Sequence, residues 1–311
     1  MASESKKVAV IGTGVIGNGW ITRFLANGFD VVAFDPAEGA AERTRDTVER
    51  AWESVKALGL KEGASKDRLT FVSTLEEAVQ DADLIQENVP ERVELKQSVL
   101  RDIDISSKSD AVIGSSTSGI KPTVLQETLE NPEKIVVAHP FNPVYILPLV
   151  EIVGGESTSQ ETVEKAYKIY ESAQMKPMII DKEIEGFIAD RLMEALWREA
   201  LHLVNDGIAT TEEVDKAITY GAGLRWAQMG PFMTFHLAGG DQGMRHMLEQ
   251  FGPALKLPWT KLEAPELTDE LKERVINGCE SFADDRSVAE LECKRNEFLV
   301  KLIDLVEDYW P

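Results

Sequence analysis

The apolar run KVAVI at residues 7–11 leads straight into Gly12-Thr13-Gly14-Val15-Ile16-Gly17, and a helical pattern follows. No other junction restricts the fold as much. A β-branched strand that ends in glycines at this spacing and opens a helix is the start of a βαβ unit shaped around a diphosphate. Gly12 permits the tight turn, Gly14 lets the backbone approach the phosphates, and Gly17 lets helix and strand pack closely. Unpaired amides at the helix N-terminus, carrying about half a positive charge, hold the anion, which places Val15 and Ile16 in the binding turn as well. A second run, VVAF, ends at Asp35, eighteen residues after Gly17. A carboxylate there accepts hydrogen bonds from the adenosine ribose and repels a 2′-phosphate, and Pro36 stands where an NADP site favours arginine, so NAD is expected. The rival is a structural glycine turn in an α/β protein without a nucleotide.

Apolar runs at 31–34, 69–72, 83–87, 111–116, 134–139 and 149–153 alternate with helical patterns. This alternation predicts βαβ units on a parallel sheet: an α/β fold with a Rossmann-type doubly wound sheet. From Ile184 onward the strand signal stops and an all-α C-terminal domain is expected. The polar stretch DKEIEG sets the boundary, giving domains 1–184 and 185–311. Thr210 and Thr268, each followed by acidic residues, are predicted N-caps.

With 33 Lys and Arg against 54 Asp and Glu, the formal charge is −21. That argues against nucleic acid or an anionic membrane as a partner. The N-terminus carries no apolar signal segment and no run reaches eighteen apolar residues, so a soluble cytoplasmic protein is expected. Cys279 and Cys293, fourteen apart, suggest neither a disulfide framework nor a metal cluster and are expected to be buried and inert. His202, His236 and His246 lack zinc-ligand spacing, so no metal is expected.

One histidine stands apart. The stretch VAHPFNPVYILPLVEIV places His139 and, twelve residues later, Glu151 in apolar surroundings. With STSGI (116–120), AHPFNP (138–143), LPLVEIV (147–153) and GFIADRL (186–192), the chain resembles the 3-hydroxyacyl-CoA dehydrogenase family over nearly all of its length to about residue 250. The resemblance implies that His139 is the general base and Glu151 orients it. It also implies that Ser118 bonds the substrate oxygen and Asn142 lies on the nicotinamide side. Glu91 and Lys96, in the helix after the fourth strand, become cofactor-site positions. A helical domain that binds substrate and forms a homodimer is implied too. The chemistry agrees. Oxidising a secondary alcohol with NAD needs a base for the hydroxyl proton, and an imidazole titrates near neutrality. A buried carboxylate on its other nitrogen fixes the tautomer. A core histidine beside a solvent-facing glutamate is the competing reading.

Two departures from the family pattern bear on the substrate. Asp190 stands where the motif GFxxNR has asparagine, and GAGLRWAQMGPF (221–232) adds Arg225 and Trp226. The carboxylate would attract a cation, and arginine clamps carboxylates through paired donors. L-Carnitine, a small β-hydroxy acid with a quaternary ammonium group, answers both, and residues 186–230 and 238–262 resemble the family members that oxidise it. A trimethylammonium head needs aromatic faces, for which Phe141, Trp226, Phe232 and Phe251 are candidates. The alternatives are an L-gulonate 3-dehydrogenase, a 3-hydroxyacyl-CoA dehydrogenase, and a crystallin-like NADH-binding protein without catalysis.

Overall fold

A computed structural model describes residues 6–227, 229–239, 241, 243–253, 257–261, 266, 268–271 and 288–309. Contacts divide the chain into two compact units, Met1–Arg191 and Leu192–Pro311.

The first unit alternates strand and helix. Its elements are β1 (Lys7–Ile11), α1 (Val15–Ala26), β2 (Asp30–Phe34), α2 (Ala40–Ala57), β3 (Leu69–Phe71), α3 (Leu75–Val79), β4 (Leu84–Glu87), α4 (Val93–Ser106), β5 (Val112–Ser115), α5 (Pro122–Gln126), β6 (Ile135–Pro140), β7 (Leu149–Gly154), α6 (Gln160–Ser172) and β8 (Lys176–Ile180). They form one eight-stranded sheet in the order β3-β2-β1-β4-β5-β6-β7-β8. The direction of winding reverses at β1 and β4, whose carboxyl ends therefore flank the crevice where open α/β sheets take ligands. Helices cover both faces, which is why the central strands read as unbroken apolar runs. On one face Trp20 and Phe24 of α1 stack at 5.3 Å, with Tyr170 of α6 tilted against Trp20. On the other, Leu100 and Ile103 of α4 pack with Ile85, Ile113 and Val137.

Two features differ from an all-parallel sheet. Strands β6 and β7 are antiparallel, and their register sets His139 directly opposite Glu151. Strand β8 then pairs parallel to β7 at the sheet edge. Its sequence, KPMII, carries a proline near its start, which an edge strand tolerates because one side of its backbone needs no partner. That proline and the partial exposure of the strand hid it from the apolar pattern.

The second unit is helical. It contains most of α7 (Ala189–Asn205), then α8 (Thr211–Ala217), a π-turn (Ile218–Ala222), α9 (Gly223–Trp226), α10 (Pro231–Ala238), α11 (Gly243–Phe251) and α12 (Val288–Tyr309). Thr210 and Glu213 form a reciprocal capping box at α8, and Thr268 Oγ1 accepts the amide of Leu271. Cys293 is an exposed free thiol on α12 rather than a buried one, because it falls on an exposed face of that helix; Cys279 lies outside the described residues. Among the described residues no helix is long and apolar enough to cross a membrane.

Candidate active site

The glycine turn between β1 and α1 is closed at two positions and open at one. Gly12 has φ +85°, and a Cβ there would come to 2.9 Å from the carbonyl oxygen of Asn88, which follows β4. A Cβ on Gly17 would lie 2.0 Å from the Gly12 carbonyl oxygen. At Gly14 a Cβ would meet nothing within 4 Å, and no side chain caps the helix that follows. Asp35 fastens the same turn: its Oδ2 accepts the amide of Thr13 at 2.8 Å and its hydroxyl at 3.1 Å, and Oδ1 accepts the amide of Ala37. A carboxylate has acceptor capacity beyond these bonds. Tight packing under the turn, open space over Gly14 and uncapped amides fit a bound dinucleotide diphosphate.

Across the crevice, His139 lies one residue before the end of β6 and is 5% exposed. Its Nδ1 lies 2.9 Å from Oε2 of the fully buried Glu151. Oε1 of Glu151 accepts the amides of Ile188 and Ala189 at 3.0 and 2.9 Å, so the same carboxylate caps the start of α7. This answers the competing reading of a solvent-facing glutamate. The chain enters α7 through Gly186 and Phe187, both with positive φ. Phe187 is fully buried, its ring 5.6 Å from the imidazole, and Phe141 meets the imidazole edge-on at 4.8 Å. Asp190, in the first turn of α7, brings Oδ2 to 3.5 Å from Nε2 of His139. Its carboxylate therefore stands beside the imidazole itself.

A buried ion pair supports the opposite wall. Lys96 of α4 is 1% exposed and bonds both oxygens of the fully buried Glu87, at 2.9 and 3.1 Å. It also reaches Glu91 at 3.4 Å. Glu91 precedes α4 instead of lying on it, and its Oε1 gathers the hydroxyl of Thr117 and the amides of Ser118 and Gly119. The two residues thus hold the loop that carries Ser118. Ser118 and His139 border a cavity of about 280 Å3, with Ile16, Asn88 and Ser116. Behind it a chain of hydrogen bonds runs from Tyr170 through Gln86 and Ser116 to Asn88. Arg23 of α1 donates to the carbonyls of Val144 and Ile146, fixing the connection from β6 to β7. Asn142 lies exposed at the start of that connection.

Comparison with known sequences decides the family. The NAD-binding domain of 3-hydroxyacyl-CoA dehydrogenase matches residues 7–184, and the C-terminal domain of the same enzyme matches residues 186–277. The chain belongs to the 3-hydroxyacyl-CoA dehydrogenase family. It is an NAD-dependent oxidoreductase. The L-carnitine dehydrogenase of Oceanobacillus iheyensis is 80% identical over 306 residues, covering 98% of this chain and 100% of the relative. That of Bacillus cereus is 65% identical, covering 98% and 94%. Among solved structures, 5-formyl-3-hydroxy-2-methylpyridine 4-carboxylic acid 5-dehydrogenase, an NAD+-dependent dismutase, superposes with a TM-score of 0.82 at 29% identity, covering 98% of this chain and 99% of that one.

The first unit of this 3-hydroxyacyl-CoA dehydrogenase family member brings together Ser118, His139, Phe141, Glu151 and Asp190, with Glu91 and Lys96 behind them. Arg225 and Trp226 on α9 and Phe232 on α10 belong to the helical unit, where Phe232 is 83% exposed and not part of a core. The side chain of Phe251 lies outside the described residues. Sequence reasoning missed Gln86, Glu87, Asn88, Ser116 and Phe187. A signal existed: LIQEN places three consecutive polar residues at the carboxyl end of a central strand, where such residues line the ligand crevice.

Proposed function

We propose that this protein oxidises the 3-hydroxyl of L-carnitine to 3-dehydrocarnitine, with the His139–Glu151 pair as general base. The observation that carries the reading is an almost buried imidazole, bonded on Nδ1 to a fully buried carboxylate, at the wall of the cavity beside the glycine turn. When bound, NAD supplies the acceptor for the hydride that leaves the carbinol carbon. Gly12, Gly14, Val15, Ile16, Gly17 and Asp35 would hold it, with Asn142 toward its nicotinamide.

Glu151 takes the Nδ1 hydrogen, which leaves the Nε2 lone pair as the acceptor for the substrate hydroxyl proton. The imidazolium that forms then faces a carboxylate locked by two amides and unable to turn away. Ser118, held by Glu91, donates to the substrate oxygen and keeps it in line with the ring.

The substrate assignment draws support from full-length identity to L-carnitine dehydrogenases and from Asp190, whose negative charge favours a cationic substrate. Arg225 has the paired donors that a substrate carboxylate needs, and Phe141, Trp226 and Phe232 have the aromatic faces that a trimethylammonium group needs, a cation–π contact contributing about 0.5–2 kcal/mol. A homodimer formed through the helical unit and a cytoplasmic location complete the proposal; the exposed Tyr220, Leu224 and Leu237 of that unit favour the dimer. NADH formation is to be followed with L-carnitine, D-carnitine, L-gulonate and 3-hydroxybutyryl-CoA. Turnover of L-carnitine alone is expected, and efficient turnover of the CoA ester would overturn the substrate. His139→Asn should slow the reaction about 10²–10⁴-fold with NADH binding intact.

A further inference from the structure

His139 stands between two carboxylates that differ in what they can pass on. Glu151, against Nδ1, is fully buried, and its second oxygen is occupied by the amides of Ile188 and Ala189. A proton delivered to it would have no route to water. Asp190, against Nε2 at 3.5 Å, keeps its side chain 23% exposed at the first turn of α7. A base that takes a proton on Nε2 in each catalytic cycle must lose it before the next, and water has little access to a ring that is 5% exposed. Glu91 and Lys96, which border the same cavity, are engaged with each other and with the 117–119 loop.

We infer that Asp190 is the proton outlet of His139: it accepts the Nε2 proton after the oxidation step and releases it to water. The inference rests on the general-base role proposed above. In the first step the substrate O–H bond breaks, an N–H bond forms at Nε2, and the hydride leaves the carbinol carbon for the nicotinamide. In the second the Nε2–H bond breaks and an O–H bond forms on Asp190 Oδ2. That proton then passes to water, restoring the neutral imidazole and the carboxylate. Each cycle thus yields one ketone, one NADH and one proton. A separation of 3.5 Å is long for a hydrogen bond, and the contact closes once the ketone has left Nε2–H free to face the carboxylate.

The test uses the full-length enzyme with NAD and L-carnitine. Asp190→Asn keeps size and polarity but cannot take up a proton. With this variant at saturating L-carnitine, where weaker substrate attraction does not show, the first turnover should form NADH about 10²-fold faster than the turnovers that follow, because only those wait for Nε2 to give up its proton. Steady-state turnover in dilute buffer should then fall about 10²-fold, the lower end of what a positioned proton-transfer group contributes. Raising imidazole or phosphate buffer at constant pH and ionic strength should restore it, while the wild-type enzyme stays insensitive. Asp190→Glu, which can still take up a proton, should show no such drop from the first turnover to the later ones and no buffer rescue. A raised KM with unchanged kcat would reduce Asp190 to substrate electrostatics and overturn the outlet. So would slow turnover that no buffer rescues, or a first turnover as slow as those that follow. These failures differ from failure of the base itself, which would appear as an unimpaired His139→Asn.

Discussion

Oε1 of Glu151 accepts the amide of Ala189 at 2.9 Å while Oε2 of the same carboxylate holds His139. One side chain therefore sets both the ring of the proposed base and the helix start that brings Asp190 to its other nitrogen. The two amide bonds hold the carboxylate in place, so that it cannot turn away from the ring it orients.

Glu151→Gln tests this double role. An amide can offer its oxygen to the imidazole or to the α7 amides, but then its NH2 group faces the other partner. Turnover should fall about 10²–10⁴-fold. Affinity for NADH, measured by fluorescence titration, should stay unchanged, because the glycine turn is untouched. The melting temperature should drop as the cap of α7 is lost. Wild-type turnover in a folded Glu151→Gln variant would remove the dyad from the mechanism.

The buried pair Lys96–Glu87 yields a stability prediction. Removing one partner strands the other charge where water does not reach, a loss of about 3–5 kcal/mol. Lys96→Met should lower stability by that order in urea unfolding. Adding Glu87→Gln should return much of it, since no buried charge then lacks a partner. If the double variant is no more stable than the single one, the pair does not account for the loss.

The glycine turn separates packing from binding. Gly17→Ala drives a Cβ to 2.0 Å from a backbone oxygen, so the strand and helix must part. It should cost at least about 1–3 kcal/mol of stability. Gly14→Ala meets nothing within 4 Å and should fold normally. It should nevertheless weaken NADH binding, because the added methyl occupies the space over the uncapped amides. Unaltered NADH affinity in Gly14→Ala would place the diphosphate elsewhere.

The turn at Gly12–Gly17 could be read from the sequence because glycine spacing dictates it. The pairing of His139 with Glu151 is implied by the family resemblance of AHPFNP and LPLVEIV. The antiparallel register of β6 and β7 is what sets the two side chains opposite each other. Three other features needed tertiary information. Lys96 looks like an ordinary charged helix residue until β4 supplies Glu87 beneath it. KPMII becomes a strand only because β7 offers a free edge. Asp190 meets Nε2 of His139 because Glu151 fixes the start of α7, a contact across the long connection from β7 to that helix. Sequence position could suggest that Asp190 attracts a cation, but not that the imidazole is its neighbour.

Asp104 links the acid stability of the protein to the placement of β6. This residue of α4 accepts the amides of Glu130 and Asn131, both at 2.8 Å, and pairs with Lys134 at 2.9 Å, which secures the turn leading into the strand that carries His139. Burial alone would raise its pKa, but the bonds from Asn131 and Lys134 outweigh it and hold the carboxyl below its ordinary value of 3.8. A carboxylate with a depressed folded pKa contributes stability that is complete above the unfolded value and disappears as pH falls through the folded one. Asp104→Asn leaves Lys134 buried without its counter-charge and should cost about 3–5 kcal/mol at neutral pH. Urea unfolding of both proteins as a function of pH should show a constant gap from neutrality down to the ordinary carboxylate range. Below pH 3.8 the gap should narrow, because only the wild type has this proton to take up. A gap that stays constant to the acid limit would mean that Asp104 is not held ionised by these bonds. Turnover of L-carnitine at neutral pH should be unaffected in the folded variant, since Asp104 is not among the residues bordering the cavity.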